Sequence, residues 1–146
     1  MNENIQSYAG FWRRFAAYWI DGIVVMFALT QFQLYLSYAL QASTPDWDTL
    51  IQSMNITVAI ISLPLAWAYF SGMESSPLQA TIGKLAVGIY VTDLEGQRLT
   101  FGRATGRFFG KILSGAILLI GYLMAGFTEK KQALHDMMAG CLVLMK

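Results

Sequence analysis

The run from Phe15 to Leu40 holds a single charged side chain, Asp21. At about 1.5 Å per residue it is long enough to cross a hydrocarbon core of about 30 Å. Arg13 and Arg14 stand just before it. A carboxylate at the centre of a membrane helix costs roughly 2.5–3.5 kcal/mol. Asp21 lies about 9 Å in from Phe15, below the interface and short of the midplane, so its cost is smaller. Some group must still pair with Asp21 or protonate it.

Composition supports a membrane chain. Of 146 residues, 55% are hydrophobic and 13% charged, and the net charge is +1. That balance gives no general attraction to nucleic acid. One cysteine, Cys141, excludes an internal disulfide and a paired-cysteine metal or redox site. Glu3, the length of the apolar run and Asp21 all argue against a cleaved leader, so the segment reads as a retained signal anchor.

A second apolar segment, Ile51 to Phe70, contains Pro64, which membrane helices tolerate with a kink. The loop between the two segments carries Asp46 and Asp48 and no basic residue. The positive-inside rule then puts the N-terminus in the cytoplasm, the loop outside and the following stretch, Ser71 to Lys111, back inside. Val87 to Thr92 has strand character, and Asp93-Leu94-Glu95-Gly96 supplies a turn into Arg98 to Phe101, which predicts a hairpin. Gly140 to Lys146 also reads as a strand. The third apolar stretch, Ile112 to Thr128, is short and broken by Gly115, Gly121 and Gly126. It either crosses or dips in and returns. The return is favoured, because it keeps Lys130, Lys131 and Lys146 on the cytoplasmic side.

The residues able to carry function are charged. Arg14 and Asp21 share a helix face but sit roughly 10 Å apart along the axis, so a third group is expected between them. Gly102, Gly106 and Gly110 recur every four residues, as do Arg103, Arg107 and Lys111 one step round. The glycine stripe predicts close packing against segment one, with Arg107 delivered to Asp21. His135-Asp136 comes with no nucleophile or metal-ligand spacing, so Asp136 reads as a helix cap or an arginine partner. No cofactor or metal site and no enzyme chemistry are expected.

Phe11-Trp12-Arg13-Arg14-Phe15-Ala16-Ala17-Tyr18-Trp19-Ile20-Asp21, Thr81-Ile82-Gly83-Lys84 with Gly88-Ile89-Tyr90-Val91, and Gln132-Ala133-Leu134-His135-Asp136 with Ala139-Gly140 follow one another in order. In these motifs the chain resembles the RDD family of small bacterial membrane proteins, from Ala9 to Met145. The resemblance maps the family's named arginine to Arg14, with Arg13 as the alternative, and its two aspartates to Asp21 and Asp136. It implies a bacterial inner-membrane location, and transport, including cation–proton antiport, as activities attributed to some members.

The reading is therefore a single domain over residues 1–146. It is an all-α membrane protein with two transmembrane helices, a third and possibly re-entrant apolar helix, and a small cytoplasmic β element. Its partners would be the lipid bilayer and a second copy or another membrane protein. Transport with Asp21 as the intramembrane carboxylate is the first functional expectation. A non-transporting scaffold or assembly factor, whose charges only lock helices, is the second.

Overall fold

The computed structural model describes residues 7–41, 47–116 and 120–146. Most of the acidic loop and the middle of the third apolar segment lie outside those residues. Helix α1, Phe11–Gln41, follows the first apolar run and has no proline to interrupt it. Among the described residues it is the one helix long and apolar enough to cross a membrane, over Phe11–Leu36. Trp12, Trp19, Ile23, Met26 and Phe27 stay exposed along it, so protein leaves much of its apolar surface uncovered. Helix α2, Trp47–Ser75, continues through Pro64 and packs on α1.

Short elements follow: α3 (Ile82–Ala86), strand β1 (Ile89–Asp93), α4 (Phe101–Ala116), α5 (Ile120–Leu123) with a 3-10 turn at Met124–Gly126, α6 (Leu134–Ala139) and strand β2 (Cys141–Met145). Helix α4 is amphipathic. Ala104, Arg107, Phe108 and Ser114 are buried at helical spacing, and this face meets α2 and α6. Phe70 and Phe108 stack loosely between α2 and α4, and the Trp67 indole donates to Thr105 Oγ1 at 3.1 Å.

Among the described residues the fold is mostly helical, with one two-stranded antiparallel sheet. The predicted hairpin does not form. Its turn is present, held by the Asp93 carboxylate accepting from the Glu95 and Gln97 amides at 3.0 and 2.7 Å. The partner of β1 is β2, with Val91 opposite Val143 and Asp93 opposite Cys141. Gly140, at φ +59°, supplies the left-handed turn that carries α6 into β2. The chain just before α1 adds to the outer edge of β2: Ala9 N donates to Val143 O, and Met145 N to Ser7 O, each at 2.8 Å. Burying Ile89, Val91, Cys141 and Val143 against Ala9 and Ala17 ties both ends of the chain and its middle into one core.

Candidate functional site

Asp21 is only 1% exposed, yet no cation reaches it among the described residues. Three neutral donors serve its carboxylate. Tyr69 Oη and the Gly83 amide each donate to Oδ1 at 2.8 Å, and Thr81 Oγ1 donates to Oδ2 at 2.5 Å. Thr81 is also the N-cap of α3, accepting from the Lys84 amide, so the turn that opens α3 clasps Asp21 directly. Gly83 has to be glycine for this approach. A Cβ there would stand 2.8 Å from the Asp21 Cγ and closer still to the Ala17 carbonyl oxygen.

The expected pairing of Arg107 with Asp21 is thus corrected. Arg107 lies on the buried face of α4, which turns to α2 and α6. Its Nε and Nη2 are each 2.8 Å from Asp136 Oδ1, and its Nη1 is 2.6 Å from Glu74 Oε2. The other Asp136 oxygen pairs with Arg14 Nη1 and accepts from the Ala133 amide at 3.1 Å. Arg14 also donates to the carbonyls of Ala9 and Lys131, which fixes the entry of α1 against the α6 approach. Arg13 is exposed, so Arg14 is the arginine inside the protein. Glu74 Oε1 completes the network, accepting from Lys84 Nζ at 2.6 Å and Lys111 Nζ at 3.1 Å.

Four cations therefore share two carboxylates out of water. Burial alone would raise the pKa of Asp136, but the guanidinium groups of Arg107 and Arg14 overcome this and hold it well below the usual carboxylate range. Glu74 is likewise held low against its burial by Arg107, Lys111 and Lys84. Lys84 gives way: burial, with Arg107 beside it, pushes its ammonium down to about 7 despite the pull of Glu74.

Two sequence expectations move elsewhere. Arg103 sits apart, half exposed, with Nη1 3.5 Å from Asp93. The glycine stripe is not the seam with segment one. Gly102 and Gly106 face open space, and Gly110 fits against His135, where a Cβ would come within 3.1 Å of the His135 Cβ. The small residue that abuts α1 is Gly83. Sequence reasoning missed Glu74 and Tyr69 as participants and had Lys111 only as a member of the basic stripe. A carboxylate just past an apolar segment, with a lysine ten residues on, was the available signal for Glu74.

Ser114 Oγ lies 3.3 Å from His135 Nδ1, and His135 Nε2 lies 3.5 Å from Asp136 Oδ1. The residue types are those of a hydrolytic triad, but the chemistry is wrong. Ser114 is fully buried, Asp136 is committed to two arginines, and burial pushes His135 down to about 3, leaving a poor base. These groups pack the α4–α6 junction.

Beside the network lies a cavity of about 640 Å³. Arg14, Lys84, Arg107 and Lys111 reach its wall, as do Asp21 and His135, and Phe11, Phe15, Phe70 and Phe108 supply much of the apolar remainder. The Lys111 ammonium stands 4.5 Å over the Phe70 ring.

The arginine-to-aspartate link across the chain, with a second aspartate clasped by a Thr-x-Gly-Lys turn, spans the motifs read above. The profile of the RDD family matches residues 8–140. The chain belongs to the RDD family. Among similar proteins from Bacillus subtilis (strain 168), the uncharacterized protein YxaI is 33% identical, over 94% of this chain and 97% of that protein. The uncharacterized membrane protein YteJ is 28% identical, over 94% and 81%. The uncharacterized protein YckC is 26% identical, over 96% and 86%. No solved structure matches. Family and candidate span agree on a membrane protein.

Proposed function

We propose that this RDD protein is a transport-related membrane protein whose solute is an anion received in the 640 Å³ cavity. The observation that carries the reading is charge: four cations line the wall, while the two carboxylates that bind them are shared. Lys84 and Lys111 each donate once, to Glu74, and an ammonium has three N–H groups to offer. Asp21 takes a different role from the ion-coupling one expected of it. Its lone pairs already receive three donors, so it holds α3 and α2 to α1 and sets the cavity wall.

In this reading the protein is multi-pass in the bacterial inner membrane, with the N-terminus and the sheet on the cytoplasmic side and α2 as the returning span. A second copy completes the path, because so few helices cannot enclose one alone. The test is flux of radiolabelled phosphate and carboxylate anions from vesicles reconstituted with the purified chain. Wild type releases a subset of anions; Lys111→Gln releases them several-fold more slowly, while Asp21→Asn lowers stability. Absence of flux for every anion tried would leave the second reading, a scaffold, which is favoured by one observation: every cation on the wall already has a carboxylate partner.

A further inference from the structure

The cavity is polar at one end and greasy at its mouth. Four of its lining residues, Phe15 and Tyr18 on α1, Ile112 on α4 and Leu123 on α5, are also exposed, by 45%, 61%, 51% and 47%. They mark the opening between α1 on one side and α4 and α5 on the other. All four are apolar or aromatic, and along α1 the neighbouring Trp12, Trp19 and Ile23 face outward too. An entrance of that composition admits chains more readily than hydrated ions. Its level on α1, between Phe11 and Asp21, spans about 15 Å from the N-terminal end, which in a crossing helix is the headgroup region and the first acyl carbons.

From charge at the inner end and apolar surface at the mouth, we infer that the cavity takes the headgroup of an anionic lipid, entering sideways from the bilayer with its acyl chain left between α1 and the Ile112 and Leu123 side chains. The inference rests on the anion reading above and names its substrate class. Lys84, Lys111 and the two arginines present donors that a phosphate monoester or carboxylate head can accept from, Lys84 as a partly charged amine at neutral pH, and among the lining residues they face one carboxylate, Asp21. A zwitterionic head would bring its own cation into the same wall and lose most of that gain.

The test is equilibrium binding to the full chain in neutral detergent micelles, read by native mass spectrometry and by tryptophan fluorescence. The probes are oleoyl lysophosphatidate, oleoyl lysophosphatidylcholine with the same tail, and inorganic phosphate. Lysophosphatidate is expected to bind about tenfold or more tighter than the choline lipid, and inorganic phosphate about tenfold or more weaker than lysophosphatidate. Lys111→Gln removes a partly exposed cation while Glu74 keeps Lys84 and Arg107, so the fold survives; it should weaken lysophosphatidate about fivefold. Ile112→Trp should narrow the mouth and weaken both lipids, and Arg103→Gln, away from the cavity, should change nothing. Equal binding of the two lipids, or no effect of Lys111→Gln, overturns the inference. Phosphate binding as tightly as the lipid overturns it while sparing an anion site. Tight lysophosphatidate binding without flux in vesicles leaves this inference standing and removes transport.

Discussion

Asp21 and Asp136 are both buried carboxylates, and they solve the same problem by different chemistry. Asp136 is fully buried between two guanidinium groups. Removing its charge leaves Arg14 with no carboxylate among the described residues and Arg107 with Glu74 alone, so Asp136→Asn should cost about 3 kcal/mol. Unfolding free energies in micelles measure this. The one histidine gives a pH signature. Its ordinary value is 6.5, and in the fold burial pushes it down to about 3. Between those limits the unfolded chain holds the extra proton, so stability falls as pH is lowered through that window; above it both states are neutral. Thermal midpoints should decline from pH 6.5 downward, and His135→Gln should flatten the upper part of the decline. Asp136 and Glu74, both held low, add a further loss of the same sign below the ordinary carboxylate range.

At the scale of elements, the glycines discriminate between the seam read from the sequence and the one that forms. Gly83→Ala forces a methyl into the Ala17 carbonyl and Asp21, so α3 must leave α1. Gly102→Ala and Gly106→Ala meet nothing, and helix propensity favours alanine by about 1 kcal/mol. The expected order in folded yield and thermal midpoint is therefore Gly83→Ala far below wild type and the other two equal to it or above. Local periodicity made α1, α2, β1 and β2 readable, because apolar runs and alternation are properties of neighbouring residues. It also showed that Gly102, Gly106 and Gly110 share a face. Which helix meets that face is not a local property, and Arg107 finds its carboxylates 33 positions earlier and 29 later. The Thr-x-Gly-Lys turn was visible as a motif, but its clasp on Asp21 spans some sixty residues and needed coordinates.

For the whole molecule, the sheet constrains the proposed topology. Residues 7–9, β1 and β2 are hydrogen-bonded together, so a chain that leaves β1 and rejoins it at β2 ends on the side where it began. In the multi-pass arrangement proposed above, this pairing requires that the third apolar segment make no net crossing. Epitope tags on the N- and C-termini should be equally protected from protease in intact spheroplasts and equally cut after lysis; protection of only one contradicts this arrangement.

The division of labour between the two aspartates underlies the cavity, its charge and the functions proposed for it. Paired double-mutant cycles on unfolding free energy, Arg107→Ala with Asp136→Ala and Arg107→Ala with Asp21→Ala, test it most directly. The structure predicts a coupling of about 1.5 kcal/mol or more for the first pair and under about 0.5 kcal/mol for the second. The reverse order would return Arg107 to Asp21 and contradict the network described.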